Sequence, residues 1–215
     1  MSTETETAAK TGLDKWLDKI PYQAALLGVC AAIAAALLVG VDNATREPIA
    51  QRKMEDLQVS LAQVVPDNLH DNNMVAKPLL LTDGDGDEVK VYQGTKAGVV
   101  TALVWETVGL GYAGEIRTII ALDPAGKILG TRVLSHKETP GLGDKIEEAK
   151  DDWILKFTGL SLGNPPAEQW AVKKDGGQFD QFSGATITPR AVVQSIREAL
   201  HFFAAHKADM LEVKP

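Results

Sequence analysis

The sequence predicts an α+β protein, in which one N-terminal transmembrane helix precedes a single α+β domain. Three observations predict this fold: residues 21–41 carry no charge, candidate strands fill most of 78–134, and candidate helices follow at 144–150 and 189–206. Strands that precede helices are typical of α+β domains, whereas a parallel sheet needs regular alternation. A chain of 215 residues accommodates one domain with a substantial core and one additional segment.

The N-terminal region divides into a polar tail and an apolar segment. Residues 1–12 are rich in Thr, Glu and Ala without a periodic apolar face, which predicts a disordered tail. In residues 13–20 apolar side chains recur at helical spacing among Asp and Lys, as in a short helix at a membrane surface. At about 1.5 Å per residue, Pro21–Val41 spans the roughly 30 Å hydrocarbon core of a bilayer. We therefore predict a transmembrane helix over 21–41.

The alternatives to a retained membrane anchor are a buried core helix and a cleaved signal peptide. A buried core helix normally shows a polar face, which residues 24–41 lack. A signal peptide has a shorter apolar region with a small-residue cleavage site close behind it, and cleavage remains the main alternative. The basic residues on the two sides are balanced, so charge leaves the orientation open: Lys10, Lys15 and Lys19 against Arg46, Arg52 and Lys53.

Residues 42–97 are predicted to hold one helix and the first part of a β-rich region. The helix covers 44–65 and ends at Pro66. The acidic run from Asp83 resembles the start of a calcium loop, but its sixth residue is Glu88 and its twelfth is Gly94, so a hairpin turn is predicted instead. The candidate strands are Pro78–Thr82, Val89–Tyr92, Gly98–Val108, Ile116–Leu122 and Ile128–Leu134.

Composition excludes several classes of function. The net charge is −7 and the basic residues are scattered, which argues against nucleic acid as a partner. The only cysteine, Cys30, lies in the apolar segment, so the chain cannot form an intramolecular disulfide or an iron-sulfur site. The four histidines lack the spacing of a metal site. No Ser-His-Asp set or catalytic carboxylate pair is visible, and we assign no catalytic residue.

The segment 180–193 brings a small-residue loop onto the start of a helix. Thr188 is a suitable N-cap and Pro189 a suitable first helical residue. An apolar stripe follows and predicts a firmly docked helix: Val192, Val193, Ile196, Ala199, Leu200 and Phe203. Unpaired N–H groups and the helix dipole favour an anion beside residues 183–188. From the residues alone, a phosphate cradle and an ordinary capped turn both remain open.

Two further loops contain glycines that leave the backbone accessible. Residues 136–143 follow a predicted strand and contain Glu138, Thr139, Pro140, Gly141, Leu142 and Gly143. Residues 111–114 precede another strand and contain Tyr112. By themselves, Pro140-Gly141 is a plain turn and Tyr112 is a core or rim tyrosine.

Together these motifs resemble the FMN-binding domain family over about residues 98–203. Ser183, Gly184, Ala185 and Thr186, with Asp180 before and Thr188 after, resemble its flavinylation motif. The resemblance implies that Thr186 carries FMN covalently through a phosphodiester, attached by a flavin transferase that uses FAD. It also implies that Glu138–Gly143 pack around the flavin and that Tyr112 approaches it. Thr188 is the nearest rival acceptor, but capping explains its position.

The whole chain resembles the G subunits of Rnf/Rsx ion-translocating electron transport complexes, which are related to the C subunits of sodium-pumping NADH:quinone reductases. Residues 188–193 favour the first group. The resemblance implies a bacterial inner-membrane flavoprotein with a periplasmic domain and other membrane subunits as partners. Within a redox-driven translocase that joins ferredoxin and NAD, the chain would relay electrons without turnover of its own.

The expected organisation has five parts: a cytoplasmic tail and amphipathic segment over 1–20, the span over 21–41, a connecting part over 42–97, an FMN-binding domain over 98–206 and a tail over 207–215. The alternative is a membrane-anchored binding or assembly module without redox activity. The sequence leaves open the coupling ion, the reduction potential of the flavin, its neighbouring donor and acceptor, and the direction of electron flow.

Overall fold

One long helix, α1, spans Ile20–Val64. The computed structural model describes residues 20–84 and 86–213, apart from the side chains of Ala50 and Lys53. The predicted tail over 1–12 and all but the last residue of the amphipathic segment over 13–20 lie outside the described residues.

Helix α1 continues through the position where the sequence predicted two separate helices, over 21–41 and 44–65. The Thr45 hydroxyl donates to the carbonyl of Val41 at 2.8 Å, and Arg46 pairs with Asp42 at 2.6 Å. Both contacts join residues one helical turn apart, and neither glycine nor proline interrupts 41–46. The predicted break is therefore wrong.

The apolar part of α1 is exposed. Its most apolar window of 18 residues contains no buried residue, which contradicts the alternative of a buried core helix. Within residues 20–84 and 86–213 it is the one helix long and apolar enough to cross a membrane. The helix ends at Val64, before Pro66, as predicted. The chain divides into two compact units between Lys53 and Met54, and the second unit contains the remaining elements.

Five antiparallel strands form one sheet in which each strand pairs with the next along the chain. The predicted strands are confirmed, although β2 continues to Lys96, past the predicted end at Tyr92. A register shift at Gly94 and Thr95 interrupts its pairing, and glycine weakens the sequence signal of a strand. The strands are β1 Leu79–Thr82, β2 Glu88–Lys96, β3 Val99–Leu110, β4 Glu115–Leu122 and β5 Ile128–Ser135.

The acidic turn between β1 and β2 is a hairpin, as predicted. The Asp83 N–H donates to the Asp87 carbonyl at 2.9 Å, and the Asp87 N–H donates to Asp83 Oδ1 at 2.9 Å. An aspartate that accepts a hydrogen bond from its own turn is a usual feature of such loops.

The two faces of the sheet contribute to different hydrophobic cores. Leu103 and Trp105 of β3 face a core formed with helix α2, which spans Ile187–Leu211. Ala102 and Val104 of the same strand face a core formed with the last turns of α1 and the chain up to Val75. Successive strand residues point to opposite faces, which explains this division. The loops at the strand ends lie outside these two cores.

Helix α2 packs its predicted apolar stripe against β3 and β4, and all six stripe residues are buried. The helix extends past its predicted end near residue 206, so the predicted tail over 207–215 begins inside it. Met210 is fully buried, and its carbonyl accepts a hydrogen bond from Gln93 Nε2 at 2.8 Å. This contact with β2 stabilises the additional turn.

The chain between β5 and α2 contains short 3-10 helices. The predicted helix over 144–150 is wrong, since only Asp144–Ile146 forms a 3-10 turn and Glu147 is extended. A second 3-10 helix, Asp152–Phe157, buries Trp153, Ile154 and Phe157. Two shorter ones follow at Ala167–Gln169 and Lys173–Asp175. An antiparallel sheet with its main helices at the two ends of the chain confirms the α+β class.

Candidate functional site

The three loops singled out in the sequence meet at one buried carboxylate. Glu138, 5% exposed, lies in the loop after β5. Its Oε1 accepts a hydrogen bond from the Ala113 N–H, in the turn between β3 and β4, at 2.9 Å. Its Oε2 accepts a short hydrogen bond from the Thr188 hydroxyl, in the first turn of α2. Glu138 therefore joins residues 25 and 50 positions away along the chain.

Glycines in two of these loops make room for the Glu138 side chain. A Cβ placed on Gly111 would lie 2.5 Å from Glu138 Oε1. A Cβ on Gly143 would lie 2.8 Å from Thr188 Oγ1 and 2.9 Å from Glu138 Oε2. Real Cβ atoms do not make contacts this short, so a side chain at either position would displace the carboxylate.

The loop before α2 is folded by its own backbone. The Ala185 N–H donates to the Phe182 carbonyl at 3.1 Å, which closes a turn with Ser183 and Gly184 at its centre. Gly184 has φ +81, in the left-handed region that favours glycine. Ser183 and Gly184 are both exposed. A Cβ on Gly184 would lie 3.5 Å from Leu142 Cδ2, which places this turn beside the 138–143 loop.

The two threonines of the loop have different environments. Thr188 is 1% exposed, whereas Thr186 is only partly buried. The sequence predicted Thr188 as the N-cap and Pro189 as the first helical residue, and this is wrong because α2 begins at Ile187. Thr186 occupies the cap position, and no side chain caps the helix there. Thr188 is not the cap because it already lies inside the first turn of α2, where its hydroxyl donates to Glu138.

Asp180 holds the chain that enters the loop. Its carboxylate pairs with Lys173 and, at 2.9 Å, with Lys156. Hydrogen bonds from Lys173 and Lys156 lower the pKa of Asp180 from 3.8 to about 2. The Asp180 carbonyl accepts from Trp153 Nε1 at 2.8 Å, and the Trp153 ring packs edge-on against Phe182 at 5.3 Å between centroids. The start of the loop is therefore fixed to the core.

The 138–143 loop is a tight turn followed by an ionic network. The N–H groups of Leu142 and Gly143 both donate to the Thr139 carbonyl at 3.1 Å. Thr139, Pro140, Gly141 and Leu142 are exposed, while Gly143 is buried.

Asp144 follows this loop directly and is buried. A hydrogen bond from the Gly141 backbone and another from Lys150 lower the pKa of the Asp144 carboxyl. Hydrogen bonds from Lys150 and from His136 likewise lower the pKa of Glu147. An ion pair between Asp144 and Lys150 thus holds one end of the loop, and a contact between His136 Nε2 and Glu147 Oε1 at 2.7 Å holds the other.

An accessible apolar rim lies on the three loops and the adjacent ends of β3 and α2. Tyr112 is 75% exposed and Leu110 is 77% exposed. Leu142 and Ile187 are less exposed but remain accessible. Tyr112 is therefore a rim residue and does not belong to the core.

The sequence singled out the loop over 111–114 but assigned a role only to Tyr112, and the roles of Ala113 and Gly111 were missed. Ala113 contributes only its N–H, which every residue except proline has, so residue type carries no signal. Gly111 does carry a sequence signal, because it and Gly114 bracket a turn in which the Gly111 N–H donates to the Gly114 carbonyl at 2.8 Å.

The fold is that of an FMN-binding domain, whose family model matches residues 111–201, while a model of the RnfG N-terminal region matches 17–64. The G subunit of an ion-translocating oxidoreductase complex from Cereibacter sphaeroides is 53% identical over 190 residues, 88% of this chain and 87% of that protein. The corresponding G subunit from Stutzerimonas stutzeri is 49% identical over 193 residues, 89% and 84% of the two chains. The chain belongs to the family of G subunits of ion-translocating oxidoreductase complexes, which confirms the resemblance seen in its motifs.

A solved structure shows the same fold at low sequence identity. The crystal structure of Shewanella oneidensis NqrC superposes with a TM-score of 0.56 at 20% identity. The match covers 74% of this chain and 98% of that one.

Proposed function

We propose that this chain is a membrane-anchored flavoprotein that carries FMN on Thr186 and relays electrons within an ion-translocating ferredoxin:NAD oxidoreductase complex. The observation that carries the proposal is the position of Thr186. Thr186 is only partly buried and directly precedes the uncapped start of α2, where three glycine-containing loops meet.

The chemistry of the helix start supports Thr186 as the acceptor. The first N–H groups of a helix lack partners within the helix, and the dipole places partial positive charge there. A phosphodiester on Thr186 would put its negative charge beside those groups. A flavin transferase would join the threonine oxygen to the FMN phosphorus of FAD, with AMP as the leaving group and release of the hydroxyl proton. Thr188, the rival acceptor, is buried and hydrogen-bonded to Glu138.

The apolar rim supports a flavin ring near the same loops. Leu110, Tyr112 and Leu142 offer exposed apolar surface, which suits the flat faces and the dimethylbenzene end of the flavin ring. Bound FMN supplies the redox chemistry, so the protein has only to hold it and tune its environment. In this proposal the exposed residues Thr139, Pro140 and Gly141 contact the cofactor, and the buried Glu138 does not.

The membrane anchor is the first part of α1. Its exposed apolar stretch is long enough for a bilayer, and exposed apolar surface of this extent is unfavourable in water. We place the flavin domain in the periplasm of a bacterial cell, with the span retained in the inner membrane. The partners are the other membrane subunits of the complex and, during maturation, the flavin transferase.

The test is a comparison of hydroxyl-deletion variants purified from cells that contain the transferase. Intact mass and peptide mapping of the parent chain should show one FMN, less one water, on Thr186. Thr186→Val should carry none, whereas the matched variant Thr158→Val, which removes an exposed threonine hydroxyl outside the three loops, should keep it.

Flavin retained by Thr186→Val would refute the assignment of the acceptor. A parent chain without flavin, although a known flavoprotein in the same cells is modified, would favour the alternative of a binding or assembly module.

A further inference from the structure

We propose that Glu138 is a positioning residue for flavin attachment, which acts through Thr188 and Ala113 and does not contact the flavin. This inference rests on the proposed function, since it presumes that Thr186 is the acceptor. Glu138 lies 5% exposed at the junction of the three loops, and each of its carboxylate oxygens already accepts a hydrogen bond.

The geometry connects Glu138 to the acceptor through the first turn of α2. Thr188 is two residues after Thr186, and its hydroxyl donates to Glu138 Oε2. The Arg190 N–H donates to the Thr186 carbonyl at 3.3 Å, so the acceptor's own backbone belongs to the same helical turn. Fixing Thr188 therefore limits the positions that the Thr186 hydroxyl can take.

The other carboxylate oxygen of Glu138, Oε1, fixes the turn at 111–114. The Ala113 N–H donates to Oε1, and Ala113 adjoins Tyr112 on the exposed rim. The backbone of Glu138 is also held, because its N–H donates to His136 Nδ1 at 3.0 Å. His136 is fixed in turn, since its Nε2 lies 2.7 Å from Glu147 Oε1. One carboxylate thus sets the spacing between the turn at 111–114 and the start of α2.

The enclosure of Glu138 distinguishes positioning from cofactor contact. Gly111 and Gly143 approach the carboxylate so closely that even one additional carbon would collide with it. With both oxygens engaged and the side chain buried, we expect Glu138 to affect the rate of flavin attachment and leave the spectrum of the attached flavin unchanged.

The experiment measures the initial rate of FMN transfer from FAD to the full-length apo chain by purified flavin transferase, using flavin fluorescence of the denatured product. Glu138→Ala and Thr188→Val should each be slower by at least about tenfold, the order of effect expected when a hydrogen bond to a charged group is lost. Thr188→Ser, which keeps the hydroxyl, should stay within about twofold of the parent. The double variant should be no slower than the slower single variant, because both remove the same contact.

Two further readouts separate positioning from general damage. Hydrogen exchange of the Ala113 amide should accelerate in Glu138→Ala, since the amide loses its acceptor. Flavin that does attach should have the parent absorption spectrum. If Glu138→Ala does not fold, the test is the comparison of Thr188→Val with Thr188→Ser. A difference of twofold or less between their initial rates of FMN transfer overturns the inference.

The remaining outcomes also test the positioning role of Glu138. A parental rate in folded Glu138→Ala, multiplicative losses in the double variant, or a shifted flavin spectrum would each overturn the positioning role while leaving Thr186 as the acceptor. Flavin attached to Thr186→Val in the same assay would instead refute the proposed function, and the positioning role with it.

Discussion

At the residue scale, the polar side chains of the candidate site mostly bind one another. Glu138 and Thr188 are buried together, and Asp180 is held by two lysines. In the loop before α2, Ser183 is exposed and Thr186 is only partly buried. Contacts of this kind fix the buried side chains of the three loops and leave the exposed ones available to a ligand.

The pairing of Asp180 with Lys173 and Lys156 predicts a pH-dependent contribution to stability. Because its pKa in the folded chain is about 2, below the ordinary 3.8, the contribution is present above about pH 4 and is lost as the pH falls towards 2. The Asp180 side chain is 44% exposed, so solvent screening limits the contribution to about 1 kcal/mol or less. Urea midpoints of the parent and Asp180→Asn should differ at pH 7 and converge near pH 2.

Salt provides the control for this prediction. At about 1 M NaCl, where the Debye length is about 3 Å, the difference at pH 7 should shrink. A difference that persisted unchanged at pH 2 and in high salt would show that Asp180 acts through something other than its charge.

At the element scale, regular hydrophobic patterns were predictable and contacts between distant loops were not. The five strands and the apolar stripe of α2 follow periods that sequence displays directly. The 3-10 helix Asp152–Phe157 buries three aromatic or apolar residues without a sustained period, so no pattern predicted it. Thr188 was assigned as a cap from its local sequence, whereas its hydroxyl donates to Glu138, a partner 50 residues away that no local pattern indicates.

The close approach of β3 and α2 depends on Gly109. A Cβ at this position would lie 2.8 Å from the Ala191 carbonyl oxygen, in the backbone of α2, so the helix would have to move. Gly109→Ala should therefore lower the free energy of unfolding by about 1–3 kcal/mol, the usual cost of overpacking. Chemical denaturation of the flavin-free chain measures it.

The matched control is Gly84→Ala, in the hairpin turn between β1 and β2. A Cβ there has no atom within 4 Å, so the change should stay within about 0.5 kcal/mol of the parent. Equal stability of the two alanine variants would contradict the packing argument.

At the scale of the whole molecule, an apolar helix and a folded domain share one chain. The family match over residues 17–64 ends where α1 ends, and the FMN-binding match begins in the turn after β3. The apolar part of the first segment, up to Val41, suits a membrane, and the second segment suits a cofactor. A carrier tethered in this manner would keep its flavin close to the membrane subunits of a complex, without needing a substrate site of its own.

A single membrane span predicts that the N-terminal tail and the domain lie on opposite sides of the membrane. The chain has one cysteine, Cys30, so Cys30→Ser provides a background for single-cysteine labelling. On that background, Gly84→Cys, at an exposed turn of the domain, should react with a membrane-impermeant maleimide in intact spheroplasts, because we place the domain in the periplasm. Thr3→Cys should react only after the membrane is permeabilised, and both should react fully in detergent as a control. The opposite pattern would reverse the proposed orientation, and a mature chain that had lost the Thr3→Cys label altogether would show that the segment is a cleaved signal peptide.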